Sequence, residues 1–502
     1  MQELFQRQKC DYEHSQGILR RINQGYQPPA GDDFTFPDNR DPRIVDLTGD
    51  LELRISKKQW HDTLNTWFEN KTHPWSAFEP SIHPQDVNSY FFSRSDLEQL
   101  GLLLLPYTAY GVLNGGSATS FADNKKNKNF CPDIFPLYEE YLATVSPTYE
   151  GKPKGITPAF LGKDGKMGPS FLELKIRDVM IQCLQYQKSH GPMPQAPAFF
   201  QMTSDGTHDS VMTYLENISQ SPLVQPLIEE LGWNGVYFRT AKQELISTFT
   251  LPDEHGKSEF FTLGSGADRR LHPLPGGHGQ NFRVLREVYQ ALLQDGYRYA
   301  YLGNVDNLGY IPNLEAMARL HFSGYSGGFE FSYRTKMDVK GGVLVQDPEG
   351  KLSTKDLGVS ISHQEAEKQE QRGGSVLFNC ATGLFDLNYL VSNLPRIISN
   401  LPLRLSRQDK DLGQYLQAEQ VTWEVMELMD KVMIFGIDKS KRFLSAKLLM
   451  ETFLTSGLNL DHPLWDSTPQ SRAILQQAIK NRQGLLFHLQ QYSRLDPQDI
   501  MG

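Results

Sequence analysis

What this sequence has little of narrows it first. Only four cysteines occur, Cys10, Cys131, Cys183 and Cys380. They are scattered, with neither a Cys-x-x-Cys pair nor Cys/His ligand spacing, so a disulfide scaffold and a structural zinc site are both excluded and a reducing, cytoplasmic setting is expected. No long hydrophobic run is present. The longest, residues 100–113, is broken by Pro106 and is too short to cross a bilayer. Residues 1–11 are polar and charged, so no secretory signal is expected there. Nor is there an excess of positive charge. A net charge of −9 argues against a general nucleic-acid or membrane-surface binder, and neither partner is expected. Repeats and low-complexity segments are absent.

What remains is an ordinary globular composition, 39% hydrophobic and 22% charged, over 502 residues, enough for several domains. Residues 1–107 read as an N-terminal region. Gln27-Pro28-Pro29-Ala30-Gly31 breaks it. Trp60, Leu64 and Trp67 lie on one helical face as packing residues, and Ser93 is placed to cap a short helix. From residue 108 to 401, short apolar runs alternate with amphipathic stretches. Helices are expected at 171–187, 210–219 and 281–294, with strands at 109–113, 198–203, 235–238 and 299–305. Such alternation implies an α/β fold, a largely parallel sheet with helices on both faces. Ligands of such sheets sit at the carboxyl ends of the strands. Residues 402–502 read as a helical C-terminal domain, with long periodic stretches at 415–435 and 472–492.

Several segments at predicted strand ends carry residue types suited to a phosphorylated ligand. Leu113-Asn114-Gly115-Gly116-Ser117-Ala118-Thr119-Ser120 follows a buried strand, and two glycines there let backbone amides approach an anion. Asn-Gly-Gly is equally an ordinary turn, and that stretch alone does not decide. Gly151-Lys152-Pro153-Lys154-Gly155 holds a lysine in a fixed turn, a point charge for a phosphate or an exposed loop. Leu274-Pro275-Gly276-Gly277-His278-Gly279-Gln280 presents a histidine with little local packing around it. Asn304-Val305-Asp306-Asn307 puts a carboxylate at a strand end, suited to Mg²⁺ shared with phosphates or to a simple turn. Asp338 to Leu344, Asn379 and Arg442-Phe443-Leu444-Ser445-Ala446-Lys447 read alone as a hairpin turn, a cap and the start of a helix.

Taken in order, these segments resemble the UDP-glucose pyrophosphorylase family, the UTP-dependent sugar-1-phosphate uridylyltransferases. The resemblance rests on Leu113 to Ser120, Pro153-Lys154, Met202-Thr203-Ser204, Gly276 to Gly279, Asn304 to Gly309, Asp338 to Gly342, Phe378-Asn379 and Arg442 to Lys447, across residues 107–450. It implies a Rossmann-like nucleotidyltransferase fold, a mixed sheet with helices on both faces, flanked by the N-terminal region and the helical C-terminal domain. It further implies transfer of uridylyl from UTP to a sugar 1-phosphate with release of pyrophosphate, and Mg²⁺ as cofactor. Carried over residue by residue, Asn114, Gly115 and Gly116 would bind the nucleotide, and Thr203 and Ser204 would lie near the uridine. Lys154 would contact the UTP phosphates, and Gly277 and His278 would line the nucleotide and phosphate site. Asp306 would hold Mg²⁺, with Asn304 and Asn307 beside it. Glu330, Gly342 and Asn379 would face the sugar, and Lys447 would neutralise its phosphate.

The sequence departs from the family pattern in four places. Ala118 stands where the family has its third glycine. Residues 121–150 form an insertion, expected to be a lid or surface element. Gln280 replaces an aspartate. Asn379 is followed by Cys380-Ala381-Thr382-Gly383 rather than by further asparagines. Glucose 1-phosphate is the leading sugar. N-acetylglucosamine 1-phosphate or a broad set of hexose phosphates is the runner-up, and a nucleotide-sugar-binding relative without catalysis is the reading from a different class. The resemblance fixes no oligomeric state.

Overall fold

The computed structural model describes residues 1–26, 34–67, 71–117, 121–162, 165–335, 338 and 340–498. The apolar run after Pro106 becomes a strand whose six residues are all buried, and a ten-stranded sheet is built around it. In chain order the strands are β1 (Ile44–Asp46), β2 (Thr108–Leu113), β3 (Phe199–Ser204), β4 (Phe238–Gln243), β5 (Tyr299–Asn304), β6 (Gly327–Tyr333), β7 (Gly342–Gln346), β8 (Leu352–Asp356), β9 (Leu377–Asp386) and β10 (Val432–Ile437). Across the sheet the order is β1-β10-β6-β9-β5-β2-β3-β4, with β7 joined to β9 and β8 to β7. Strand β9 runs antiparallel to both β5 and β6, whereas the other neighbours along the main path are parallel. The sheet is therefore mixed, as the resemblance implies, with five of the seven pairings along its main path parallel.

Both faces are covered, and side-chain alternation along β2 shows how. Tyr110 and Val112 join a core with the helices α1 (Arg94–Leu104), α2 (Phe171–His190) and α3 (Leu314–Ser323). Ala109 and Leu113 join the opposite core with α4 (Leu387–Asn400). Gly111 lets the sheet close: a Cβ there would lie 2.1 Å from the ring of Phe200 on β3. Helix α1 begins as expected at Ser93, whose side chain accepts from the Asp96 amide in a capping box. Trp60 and Trp67 are buried, and Trp60 stacks on Trp75.

Parallel register puts the ends of β2, β3 and β5 side by side. Leu113 pairs with Asn304 on one flank and with Met202 on the other. The reversed β9 brings Asn379 opposite Phe331 and Thr382 opposite Gly303 at the same edge. Ile437 of β10 pairs with Ser332 there.

Three expectations are corrected. Residues 415–435 are not a helix. They hold the second strand of a hairpin (Arg404–Lys410 with Gly413–Glu419), a 3₁₀ segment (Thr422–Leu428) and the start of β10. A fully buried run such as Val432 to Ile437 has no polar face, so its periodicity does not separate helix from strand. Residues 442–447 do not begin a helix. The short helix Lys439–Arg442 ends there, and long-range bonds take the following backbone. The strand expected at 235–238 runs instead from Phe238 to Gln243. Residues 121–150, expected as a lid or surface element, have exposed stretches and also bury Ile134, Tyr138 and Tyr149 completely in a core shared with α5 (Leu449–Ser456) and α6 (Pro469–Gln491).

Candidate active site

The strand ends surround a cavity of about 490 Å³, within the range of small-molecule sites. Of the residues singled out in the sequence, His278, Asn304, Asp306, Gly342, Asn379 and Lys447 line it. They come from segments up to 169 residues apart in the chain, between His278 and Lys447. On its far wall stand Phe130 of the 121–150 segment and Leu454, Ile474 and Gln477 of the C-terminal helices.

Asp306 and Lys154 meet at the sheet edge. Lys154 Nζ donates to Asp306 Oδ2 at 2.6 Å and also to the Ala446 carbonyl, and it lies 4.8 Å from the centre of the Phe121 ring. Both side chains are mostly shielded, 13% and 18% exposed for lysine and aspartate, so solvent screens their attraction less than at an open surface. The Pro153-Lys154 turn is pinned to the glycine loop by the Lys154 amide on the Gly116 carbonyl, 3.0 Å. Gly155 is needed there: its Cβ would lie 2.3 Å from Asn114 Oδ1. Asn114 is fully buried and donates to Gln201 Oε1 at 3.1 Å, while its own Oδ1 has no partner among the described residues. Gly115 closes on β3, its carbonyl accepting from Ser204 Oγ at 2.8 Å. Thr203, fully buried, bonds His208 Nδ1 at 2.8 Å. Ala118, the odd residue of the loop, lies outside the described residues.

Asn307 and Glu330 sit below the cavity rather than on its wall. Asn307 is fully buried. Its Oδ1 accepts from the Gly309 and Leu444 amides, and its Nδ2 donates to the Arg442 carbonyl. It therefore ties the Asp306 loop to the segment that ends in Lys447. Both Glu330 oxygens are occupied, Oε1 by Arg442 Nη2 and Tyr301 OH at 2.5 Å each and Oε2 by Arg442 Nε at 3.2 Å.

At the third corner, Gly277 adopts φ +81°, and a Cβ there would lie 2.4 Å from the Gln420 carbonyl. The turn brings His278 to the cavity with Nδ1 accepting from the Thr422 amide at 3.2 Å. That places the ring proton on Nε2. Burial, helped by Arg404 and opposed by Asp306, lowers the His278 pKa to about 4, so the ring is a neutral donor near pH 7. Beside it, Asn379 Oδ1 accepts from the Ala381 amide at 2.8 Å, and Ala381 stands in the left-handed region at φ +50°. Gly342 is packed against Thr354 Oγ1, which makes no hydrogen bond among the described residues.

Sequence reasoning missed part of the wall. Arg404 reaches Asp356 at 2.6 Å and Glu424 at 3.1 Å, and Lys439 pairs with Asp338. Had 432–437 been read as a strand, Asp438-Lys439 would have stood at its carboxyl end with the other candidates. Arg404 had no local signal. Asp306 is one of four carboxylates that line the cavity, with Asp338, Asp356 and Glu451, and a metal there would share it with Lys154, which holds its Oδ2. Among the described residues no group of three or more His, Cys, Asp or Glu forms a cage. That donor set fits Mg²⁺, which keeps waters and takes substrate phosphate oxygens as ligands.

Fold and site together define a mixed α/β protein with a cavity at the strand ends, lined by charged, amide and apolar side chains. A variant of UDP-glucose pyrophosphorylase from Leishmania major, solved with UDP-glucose, shares the fold at TM-score 0.50 and 15% identity, covering 90% of this chain and 77% of that one. Over residues 262–471 the chain matches the family model described as UTP–glucose-1-phosphate uridylyltransferase. Named relatives are distant. One of Dictyostelium discoideum, UTP–glucose-1-phosphate uridylyltransferase 2, is 23% identical over 195 residues, 38% of each chain. That of Astragalus penduliflorus is 27% identical over 268 residues, 51% of this chain and 50% of its own. The match thus spans half or less of these relatives.

Proposed function

We propose that this protein transfers uridylyl from UTP to a sugar 1-phosphate, with glucose 1-phosphate as the leading substrate. The observation that carries the reading is the Lys154–Asp306 pair. It joins the glycine-loop side of the sheet to the β5 loop at the mouth of a cavity that also holds His278, Asn379 and Lys447. An oxygen of the sugar phosphate attacks the α-phosphorus of UTP, the bond to the β-phosphate oxygen breaks, and pyrophosphate leaves with the electron pair. No bond to the protein forms.

The chain's task is then to hold two anions together. Like charges 4 Å apart repel by about 4 kcal/mol at an effective dielectric of about 20, so preplaced cations and donors carry the catalysis. In this reading Lys154 and Lys447 neutralise phosphate oxygens, while Arg404 and Lys439 also line the cavity, each paired there with an acid. His278 Nε2–H donates without titrating near neutrality. Asn114, Gly115, Gly116, Thr203 and Ser204 form the nucleotide side, and Gly342 and Asn379 the sugar side. Asp306 and Asn304 would hold Mg²⁺, whose charge would offset that of the phosphates. A cytoplasmic location belongs to the same proposal: the cysteines are unpaired and buried, and among the described residues no helix is long and apolar enough to cross a membrane.

The test is pyrophosphate release from UTP and Mg²⁺ with a panel of sugar 1-phosphates. Lys154→Ala is expected to lose at least tenfold in kcat, about 1.4 kcal/mol. Absence of release with every sugar overturns the proposal. The short Ala381 beside Asn379 favours, as a second reading, a sugar with a larger substituent such as an N-acetyl group, and preference for that sugar in the same panel would establish it.

A further inference from the structure

Lys175 is a cation where a hydrophobic residue is expected. It lies in the first turns of α2, a 20-residue helix whose N-terminus is fixed by the Ser170–Glu173 capping box. Its neighbours Leu174 and Ile176 are fully buried, and Lys175 itself is 1% exposed. It forms no ion pair among the described residues. Its ammonium donates instead to three backbone carbonyls, those of Asn307, Leu308 (3.0 Å) and Tyr310 (2.7 Å), and it sits over the Tyr310 ring. Three donors meet three acceptors, so the group is saturated. Burial pulls its pKa down to about 7, with Asp178 partly offsetting this, so the three-donor ammonium prevails below that pH. Keeping a charge here is costly, and a leucine or methionine would fill the space without that cost.

The position of the three carbonyls gives the cost a purpose. All belong to one short loop, and that loop begins one residue after Asp306. We propose that Lys175 is a positioning residue, an internal cation clamp that fixes the Asp306 loop from the core side. The opposite side of the loop is held by Asn307 on the Arg442 carbonyl and the Leu444 amide, and by the Leu308 amide on the Leu444 carbonyl. Clamped from both sides, the loop leaves Asp306 facing Lys154 and the cavity. A backbone turn has few ways to gather three carbonyls on one point. An ammonium does so because its donors diverge tetrahedrally, whereas the planar guanidinium of arginine does not. The catalytic consequence rests on the function proposed above. The clamp itself does not.

The test has two arms. In ligand-free protein, amide hydrogen exchange across residues 304–311 is compared for wild type, Lys175→Met and Leu394→Ala. Leu394 is buried in the core on the other face of the sheet, so that variant reports general destabilisation. Exchange in 304–311 is expected to rise at least tenfold in Lys175→Met and to change little in Leu394→Ala. Lys175→Gln, which keeps two donors on a shorter stem, should fall between, and it carries the comparison if Lys175→Met does not fold. In the second arm kcat should fall at least tenfold in Lys175→Met while KM for the sugar 1-phosphate stays within threefold, and Lys175→Arg should not restore it. Equal exchange in the Lys175 and Leu394 variants overturns the clamp. Raised exchange with an unchanged kcat overturns its catalytic role. If wild type releases no pyrophosphate, the proposed function falls and the exchange arm still decides the clamp.

Discussion

Replacing Glu330 by glutamine separates two accounts of one residue. By resemblance Glu330 faces the sugar. In the structure it is 1% exposed and its two oxygens take three hydrogen bonds, two from Arg442 and one from Tyr301. Arg442, itself buried, gives a further bond to the Ile311 carbonyl. Such a pair is costly to break from one side, because removing one charge leaves the other buried and unpaired, at about 3–5 kcal/mol. Glu330→Gln is therefore expected to lose about 3 kcal/mol of stability. Taking ~2.1 cal/mol/K per residue, a chain of this length has an unfolding entropy of about 1 kcal/mol/K, so the midpoint should fall by about 3 °C. Removing both charges in Arg442→Met/Glu330→Leu should recover most of that loss, because the desolvation of two ions disappears with their attraction.

Activity decides the rest. At a temperature well below the midpoint, kcat/KM for the sugar 1-phosphate should stay within about twofold in Glu330→Gln, below ~0.4 kcal/mol. The measurements are thermal unfolding followed by tryptophan fluorescence and initial rates of pyrophosphate release. An unchanged midpoint with a tenfold or larger loss in kcat/KM would refute the reasoning and return Glu330 to the sugar.

Other expectations follow from individual contacts. His14, His73 and His278 are held near pKa 4, and His321 lower still, chiefly by burial. The unfolded chain takes up these protons first below pH 6.5, so stability should fall as pH drops from 6.5 towards 4, by up to ~1.4 kcal/mol per unit for each histidine. A flat profile between pH 6.5 and 5 would contradict this. Ala381→Gly should raise stability by about 0.5–1 kcal/mol, the relief of a left-handed alanine less the added freedom of glycine in the unfolded chain. A lower midpoint would mean that the methyl group packs. Gly155→Ala should push Asn114 aside and raise KM for UTP at least tenfold, with kcat at saturating UTP changed less than threefold. An unaltered KM would show that the nucleotide does not depend on Asn114.

The parts of this molecule legible in its sequence are those fixed by local pattern. A short apolar run bounded by Pro106 and Asn114 is a strand in any reading, and Ser93 caps a helix because its hydroxyl needs only the third residue on. The hairpin and β10 were not legible, because Val432 to Ile437 is buried on every side and carries no period. The Phe443–Lys447 segment was not legible either. Its sequence suits a helix, but its Leu444 amide is taken by Asn307, 137 residues away. Lys175 was invisible for a related reason. A lysine in an amphipathic helix reads as solvent-facing until the loop that supplies its carbonyls is placed beside it.

That loop explains why several weak signals made one site. Asn-Gly-Gly, Pro-Lys-Gly and Asn-x-Asp-Asn are each ordinary turns, and no local property distinguishes them from turns that bind nothing. Register supplies what they lack. With Leu113 paired to Asn304, a shift of two residues in β2 against β5 would move the Asn114 turn by about 7 Å relative to Asp306. The 2.6 Å contact of Lys154 would then be lost, since Lys154 is fixed to Gly116 through its own amide. Strand pairing at the centre of the sheet and ion pairing at its edge therefore constrain one another. The buried residues that set the first, Gly111 against Phe200 and Tyr310 bonded to the Gly111 carbonyl, are part of what places the second.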